Sequence, residues 1–362
     1  MRIEALTFFR FFAAFLVLVH HWGSGTFFEK YDLEFWSTGP PMVTFFYVLS
    51  GFVLAVANFK RDLSSYGNFY VARLARIAPA YYVAFLVLLP FVYRAYADFN
   101  VNVAVGLHLT FLQAWIPPYP ATLNMAAWSV SVEMFFYLVF PLFFPLLRQG
   151  RFSSGLLFTI GAVIFLLTQL VLLSIVNSPS FEGDRSFVGI VIRFNPLAHF
   201  CSFFLGIVGA IWFLRTQSKQ QEKGSGLVSL IVLCAVIYFL LNNEVKIREM
   251  LPLELPAQNS LHAPLFLAFI IVIARGNNFI VNTLGRGVFK SLGDASYGFY
   301  IYQYPVICIL YYVVDITDYM SPDAAFGVLA VTLLAISLLS FHYFEVPVQR
   351  RVRQALSRET PS

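Results

Sequence analysis

The sequence predicts an all-α polytopic membrane protein, a bundle of about ten transmembrane helices with both termini in the cytoplasm. Composition is the first reason: 59% of the 362 residues are hydrophobic and 12% are charged, whereas soluble proteins have about 25% charged residues. The second reason is a mean hydropathy of +0.73. The third is that the apolar residues collect in separate runs of bilayer-spanning length, about 17 to 25 residues.

Ten such runs follow one another, separated by charged or turn-forming segments. The first run has no small-residue cleavage site behind its apolar core, so we expect a retained helix rather than a signal peptide. Residues 1–347 are expected to form a transmembrane domain, and residues 348–362 a short basic cytoplasmic tail that can touch anionic lipid. The predicted helices are 6–23, 41–59, 77–94, 126–147, 155–176, 196–214, 226–242, 261–275, 292–314 and 324–344.

Residues 104–116 are apolar but short, and they end in the turn-forming run Pro117-Pro-Tyr-Pro120. A crossing here would place Arg148 and Arg151 outside and would reverse every later loop. We therefore expect a short helix that lies in, or dips into, the outer surface of the membrane.

Positive charges set the predicted orientation. With a cytoplasmic N-terminus, the cytoplasmic segments hold most of the 24 lysines and arginines, as the positive-inside rule requires. The net charge of +5 therefore reflects membrane orientation, and no nucleic-acid partner is expected. The predicted outer segments hold only Lys30, Arg94, Arg185, Arg193, Lys246 and Arg248.

Arg10 and His21 lie in the first predicted helix. An ionisable side chain near the bilayer centre costs about 2.5 to 3.5 kcal/mol, so it is seldom retained without a partner or a function. The two positions lie eleven residues apart, a rotation of about 1100° and a rise of about 16 Å, so they share one face at opposite depths. His20 points about 80° away from Arg10 and is expected to lie outside the site. His21 can act as a general base near the outer end; the alternative is an interfacial histidine bonded to a carbonyl.

Arg73 and Arg76 lie at the predicted cytoplasmic mouth of the third helix. Residues three apart on a helix are about 60° apart, so two guanidinium groups can converge on a phosphate or diphosphate. This pattern suits a nucleotide-containing cytosolic donor. The alternative is that the pair only satisfies the positive-inside rule.

Glu133 lies in Trp128-Ser-Val-Ser-Val-Glu133, near the predicted outer end of the fourth helix. It shares a helix face with Ser129 and Tyr137. A carboxylate at about the depth of His21 can orient that imidazole and stabilise its protonated form. The alternative is a structural bond to a serine, an arginine or a backbone group.

Several short motifs follow one another along nearly the whole chain, and their ordered combination is specific. They are Arg10 and His21 with ten residues between them, Phe45-Phe-Tyr-Val-Leu-Ser-Gly-Phe52, Arg73-x-x-Arg76 before Pro79, Trp128-Ser-x-Ser-x-Glu133, Phe203-Phe-Leu-Gly206, Leu292-Gly to Pro305, and Phe344-Glu-x-Pro347. In this order they resemble the acyltransferase-3 family of integral membrane acyltransferases.

The resemblance implies ten helices in the bacterial cytoplasmic (inner) membrane. It also implies transfer of an acyl group, usually acetyl from cytoplasmic acetyl-CoA, to a hydroxyl of an extracytoplasmic carbohydrate acceptor. On this resemblance His21 is the catalytic histidine, as a base or as an acyl carrier, and Glu133 is a second catalytic residue. Arg10, Arg73 and Arg76 would bind or position the coenzyme A donor, and no metal is implied.

The sequence departs from the family pattern in places. Phe11 follows Arg10 where many members have glycine, and Gln303 stands where many have histidine, so no proton-transfer role is expected at Gln303. The chain also lacks the extracytoplasmic esterase-like domain fused to some members. We therefore expect either complete transfer by this chain or transfer of the acyl group to a separate extracytoplasmic partner.

A bundle with buried charges also suits a different class of protein. The main alternative is a transporter or exporter of a lipid-linked saccharide or small metabolite, which would move its substrate without cleaving a thioester. A non-catalytic membrane partner of a glycan-assembly complex would leave Arg10, His21 and Glu133 unexplained.

Overall fold

The computed structural model describes residues 4–31, 34–61, 66–95, 100–216 and 226–358. The predicted cytoplasmic residues Arg2, Lys219 and Lys223 lie outside these ranges. The structure is 79% helical, without a strand in the described ranges. The prediction of an all-α protein is confirmed.

The described residues form eighteen α-helices, numbered in chain order. They are α1 (Glu4–Trp22), α2 (Phe27–Lys30), α3 (Gly39–Asn58), α4 (Tyr66–Ala95), α5 (Val101–Leu109), α6 (Ala127–Arg148), α7 (Ser154–Val176), α8 (Phe187–Phe194), α9 (Pro196–Arg215), α10 (Leu227–Asn242), α11 (Glu244–Glu249), α12 (Ala263–Arg275), α13 (Phe279–Leu284), α14 (Gly287–Asp294), α15 (Ser296–Ile301), α16 (Gln303–Tyr312), α17 (Pro322–Ser340) and α18 (Val346–Arg358). Short 3-10 helices cover Glu34–Ser37, Gln113–Trp115 and Ile316–Asp318, and a π-helical turn covers Phe341–Glu345.

Seven helical segments in the described part of the chain are long and apolar enough to cross a membrane. The helices α10 and α12 are apolar but shorter. Together with the predicted spans, which agree with observed helices to within a few residues in most cases, these segments confirm a multi-pass membrane protein. The seven segments are Glu4–Trp22, Gly39–Asn58, Tyr66–Phe91, Ala127–Arg148, Ser154–Val176, Phe187–Arg215 and Pro322–Leu356.

The predicted ninth helix, 292–314, is wrong as a continuous element, because the structure divides it into α14, α15 and α16. Pro305 explains the second division. Proline has no backbone N–H, so the carbonyl of Ile301, four residues earlier, loses its helical partner. That carbonyl accepts a hydrogen bond from Asn124 Nδ2 at 3.0 Å instead. A buried side chain on another segment therefore satisfies the interrupted backbone, as a non-aqueous environment requires.

The predicted third helix, 77–94, begins too late. In the structure α4 starts at Tyr66. The prediction missed the first turns because they are polar and basic, and a hydropathy criterion does not detect such turns. Arg73 and Arg76 consequently lie within the helix rather than at its mouth.

The helix α1 runs through the interior of the bundle and packs against α3, α12, α14 and α15. Close helix approach makes this arrangement possible. A Cβ atom at Gly293 would overlap the backbone of Thr7 on α1, and the helices α3 and α9 meet at Gly51 and Gly206, where a Cβ atom would overlap a carbonyl of the facing helix. Small residues at such contacts are typical of membrane helix packing. The polar face of α1 is therefore directed at protein rather than at lipid.

The short segment after α4 forms the nine-residue helix α5. Nine residues span about 13.5 Å, less than half of a hydrocarbon core of about 30 Å, so α5 cannot cross a membrane. The hydroxyl groups of Tyr81 and Tyr82 donate to the carbonyls of His108 and Leu109 at its C-terminal end, at 2.9 and 2.8 Å. A short helix is therefore confirmed, at Val101–Leu109 rather than over 104–116, and its position at the outer surface stays a prediction.

Three arginines gather at one end of the bundle, which we call the basic end. Arg148 donates to the carbonyls of Asn58 and Phe59 at the end of α3. Arg215 donates to the carbonyl of Phe152 at 2.8 Å, and the guanidinium of Arg275 lies 4.0 Å from the ring centroid of Trp212. Cations at helix C-termini satisfy carbonyls that lack helical partners. The ends of α3, α6, α9 and α12 thus lie together.

Candidate active site

A cavity of about 40 Å³ lies at the C-terminal end of α1, opposite the basic end. We call it the His21 cavity. It has room for about three or four water molecules, since each water needs roughly 10 to 15 Å³ on this measure, so it has the size of an acetyl or carboxylate group rather than of a whole sugar. Its walls are Val17, His20, His21, Gly39, Pro40, Val43, Met125, Trp128, Arg193, Gln258 and Tyr300.

Both histidines of α1 line this cavity, with ring centroids 5.1 Å apart. The expectation that His20 lies outside the site is therefore wrong. The helical angle between neighbouring residues separates their Cβ atoms, but the long imidazole side chains converge on the same space. Gly39 permits this, because a Cβ atom there would lie 2.5 Å from Cδ2 of His20.

Gln303, the first residue of α16, lies beside His21. Its Nε2 donates to the carbonyl of Ala14 on α1 at 3.0 Å, and its side chain lies near enough to His21 to influence the imidazole. The Oε1 atom is buried and makes no hydrogen bond to the described residues. An amide held in this way can fix the orientation and tautomer of an imidazole. Sequence analysis identified Gln303 but not this contact, which depends on the packing of α16 against α1.

Glu133 lies in a second polar group, away from the walls of the cavity. Ser50 Oγ donates to Glu133 Oε1 at 3.0 Å, and Tyr137 OH donates to the same oxygen at 2.5 Å. The predicted shared face with Tyr137 is confirmed. Ser129 instead bonds to the carbonyl of Ala126 and to Tyr300 OH, at 2.8 and 2.9 Å. The orientation of His21 by Glu133 stays a prediction.

Arg73 and Glu133, predicted at opposite depths, lie at one level of the bundle. The guanidinium of Arg73 lies 6.0 Å from the ring centroid of Tyr137, and Glu133 and Arg73 act on each other through charge. Tyr137 precedes the end of α6 at Arg148 by eleven residues, about 16 Å along the helix. The guanidinium of Arg73 therefore lies level with the middle of α6, and its position at the cytoplasmic mouth stays a prediction.

Arg73 belongs to an arginine cluster that we define as Arg73, Arg76 and Arg353. The guanidinium groups of Arg76 and Arg353 are both close enough to Arg73 to act on it through charge. The Nε atom of Arg73 is buried and makes no hydrogen bond to the described residues. Three like charges with an unused donor form a suitable site for an oxyanion such as phosphate.

The π-helical turn Phe341–Glu345 brings the last member of this cluster into place. It buries Glu345, whose Oε1 accepts from Ser340 Oγ at 2.9 Å, and Glu345 lies within the electrostatic reach of Arg76. The helix α18 follows directly and packs against α4. Sequence analysis assigned Arg353 to a tail and missed it; the helical spacing of arginines after Pro347 was the available signal.

The His21 cavity and the polar group around Glu133 are connected by hydrogen bonds and by single helical turns along α6. Tyr300 lines the His21 cavity and bonds to Ser129, which is one helical turn from Glu133. Glu133 bonds to Tyr137, whose ring faces Arg73. Arg10, which does not line the cavity, lies on α1 about 16 Å from His21. Its donor role stays a prediction.

The fold and the site define a multi-pass membrane protein with polar groups buried along an otherwise apolar bundle. The family model that matches this chain describes an acyltransferase domain and covers residues 3–341. The chain belongs to this acyltransferase family, and the prediction of an acyltransferase is confirmed.

Individual relatives are similar to the chain at low identity. Acyltransferase MdmB of Streptomyces mycarofaciens is 27% identical, over 100% of this chain and 94% of the relative. The O-acetyl transferase of Shigella phage Sf6 is 24% identical, over 97% of this chain and 96% of the relative. Peptidoglycan O-acetyltransferase OatA of Listeria monocytogenes is 22% identical, over 88% of this chain and 53% of the relative. The chain thus spans about half the length of that relative. These names support an O-acetyltransferase, and no solved structure matches the chain.

Proposed function

We propose that the protein moves an acetyl group from cytoplasmic acetyl-CoA to a hydroxyl of an extracytoplasmic carbohydrate, in the bacterial inner membrane. The observation that carries this proposal is the polar connection from the arginine cluster, through Glu133 and Tyr300, to the His21 cavity. A family of acyltransferases needs such a connection when donor and acceptor lie on opposite sides of a membrane.

The proposed topology has ten crossings and cytoplasmic termini. Seven long apolar segments, the two shorter helices α10 and α12, and the divided segment α14–α16 together supply ten crossings. Successive segments run in opposite directions if each crosses the membrane once. The basic end then faces the cytoplasm, in keeping with the positive-inside rule. Residues 1–347 would form the transmembrane domain, and α18 would lie at the cytoplasmic surface, where its arginines can contact anionic lipid.

Arg73 and Arg76 would bind the phosphate groups of the donor, and Arg10 would help to position it. The buried Nε of Arg73 and the mutual repulsion of the cluster favour a bound anion. Because the guanidinium of Arg73 lies level with the middle of α6, the pantetheine arm has a shorter distance to bridge between the cluster and His21.

His21 would accept the proton of the acceptor hydroxyl while the hydroxyl oxygen attacks the thioester carbonyl. The C–S bond then breaks, and the departing thiolate takes the proton from the imidazolium. In the alternative course, a ring nitrogen of His21 carries the acetyl group between donor and acceptor. Gln303 would orient the imidazole in both courses. Glu133, which lies between the arginine cluster and the His21 cavity, would be the second catalytic residue.

The acetyl group can also pass to a separate extracytoplasmic transferase. This possibility is supported by the peptidoglycan relative, since the chain covers 53% of its length.

The deciding experiment uses purified protein in lipid nanodiscs with acetyl-CoA labelled in the acetyl group. We expect slow thioester hydrolysis without acceptor, acetylated glycan with envelope saccharides, and a loss of roughly 100- to 10,000-fold in both in His21→Ala, the usual contribution of a general base. Full activity in His21→Ala would overturn the catalytic assignment. Saccharide movement across proteoliposomes without thioester cleavage would instead establish the transporter.

A further inference from the structure

Arg193 places an unbalanced positive charge on the wall of the His21 cavity. The basic residues that line this cavity are His20, His21 and Arg193, and no carboxylate lines it within the described part of the chain. Arg193 lies close enough to His21 to act on it through charge. In a small, partly enclosed space, such a charge favours the entry of an anionic group.

Packing fixes the Arg193 side chain from one side. Its guanidinium lies 5.2 Å from the ring centroid of Phe194, and that ring packs edge-on against Trp128, with centroids 5.0 Å apart. A guanidinium held by its face keeps its N–H edges available, and these edges match the two oxygens of a carboxylate.

Asp184 is the nearby carboxylate that could neutralise Arg193, and it does so incompletely. It acts on Arg193 through charge, but it is exposed to solvent and lines a neighbouring cavity rather than the His21 cavity. Its Oδ2 accepts from Gln258 Nε2 at 2.8 Å. Solvent screens exposed charges strongly, so the side of Arg193 that faces His21 stays electropositive.

We infer that the acceptor is an acidic saccharide, whose carboxylate binds to Arg193 while a neighbouring hydroxyl lies at His21. This inference rests on the proposed acetyl transfer. The cavity has the volume of about three or four water molecules, which suits a planar carboxylate better than a substituted phosphate. Trp128 and Tyr300 supply aromatic surface for the sugar ring next to it.

The test measures binding at the cavity directly, in protein reconstituted in nanodiscs. Diethyl pyrocarbonate modifies accessible imidazoles, and mass spectrometry reports the modification of His20 and His21. The probes are sodium glucuronate, its neutral amide glucuronamide, and glucose 6-phosphate. We expect glucuronate to protect the two histidines at concentrations roughly 10- to 100-fold lower than glucuronamide, the ratio typical of a charge-assisted hydrogen bond. Glucose 6-phosphate should protect less well than glucuronate.

Arg193→Gln should remove the preference for glucuronate, and Arg193→Lys should retain part of it, which also controls for folding. Arg248→Gln is the matched control, because Arg248 lines the neighbouring cavity and pairs with Glu254 at 3.7 Å. It should behave as the unmodified protein. Equal protection by glucuronate and glucuronamide would overturn the inference, as would the absence of protection at roughly 100 mM, where a millimolar site is saturated. Stronger protection by glucose 6-phosphate would replace the carboxylate by a phosphate.

A second measurement separates this inference from the proposed function. If Arg193 binds the acceptor, Arg193→Gln should lower acetyl transfer to glucuronate by more than it lowers acetyl-CoA hydrolysis without acceptor, although the lost charge near His21 affects both reactions. An equal loss of both activities would mean that Arg193 acts on the reacting thioester, and the acceptor site would be wrong. If the unmodified protein never cleaves acetyl-CoA but glucuronate still binds through Arg193, the proposed function fails while the anion site stands.

Discussion

The His21 cavity and the group around Arg73 and Glu133 solve the same problem, charge inside a membrane protein, in opposite ways. In the group around Glu133, the carboxylate accepts hydrogen bonds from Ser50 and Tyr137, and Arg73 acts on it through charge. In the cavity, Arg193 and two imidazoles face a small space, and none of the described residues on its wall is a carboxylate. The comparison teaches that the carboxylate of the first region has partners inside the bundle, whereas the guanidinium on the wall of the second leaves room for a partner from outside.

Removal of the Arg73 charge should lower the stability of the protein, whereas removal of the Arg193 charge should have little effect on it. Arg73→Ala removes a positive charge that acts on the half-buried carboxylate of Glu133, so we expect a loss of about 1 to 2 kcal/mol in stability, in the usual range for a single substitution at such a site. Unfolding by heat or denaturant in detergent measures it. Arg193→Gln should change stability by less than about 1 kcal/mol.

The double variant Arg73→Met, Glu133→Gln sharpens this prediction. It should recover most of the lost stability, because neither side chain is then left charged and unpaired. If the double variant is as unstable as Arg73→Ala, the two groups do not balance each other and the comparison fails.

Gln303 should affect turnover without affecting the charge balance of either region. We expect Gln303→Leu to lower acetyl transfer by roughly 10- to 100-fold, the usual effect of removing a group that orients a reactive side chain. Gln303→His should restore much of this loss, since imidazole can also hydrogen-bond to His21. Steady-state kinetics with saturating acetyl-CoA measures both variants. Wild-type turnover in Gln303→Leu would show that the contact with His21 is only structural.

The smallest effect is expected at Arg353, the exposed member of the arginine cluster. Arg353→Gln should raise the KM for acetyl-CoA about threefold, because an exposed ion pair contributes about 1 kcal/mol or less. The turnover number and the stability should not change. Arg358→Gln, near the end of the same helix, is the control, and an equal rise in KM there would indicate a general effect of surface charge.

Much of the fold could be predicted from local patterns in the sequence. The predicted span 126–147 matches α6, and the four-residue spacing of Glu133 and Tyr137 predicted their contact. Motif order identified the family, which the comparisons confirm. These features depend on the period of a helix and on hydropathy alone.

The remaining features depend on tertiary packing. The position of Arg73 inside α4 depends on the start of that helix at Tyr66. Hydropathy does not reveal this start, because the first turns are polar. Gln303 and Arg193 reach His21 from α16 and α8, far along the chain. The break in the predicted ninth helix could be predicted in part, because Pro305 leaves one backbone carbonyl without a helical partner. The donor to that carbonyl, Asn124, could not be predicted, because it lies in a loop far away along the chain.

The division between α15 and α16 has a mechanical consequence. Gln303 is the first residue after it, so the side chain beside His21 lies at a joint rather than in the middle of a continuous helix. The contact between α3 and α9 at Gly51 and Gly206, where backbones touch, cannot widen without losing its packing. A change of angle at Tyr302 would therefore move the amide of Gln303 relative to the imidazole while α3 and α9 stay in register.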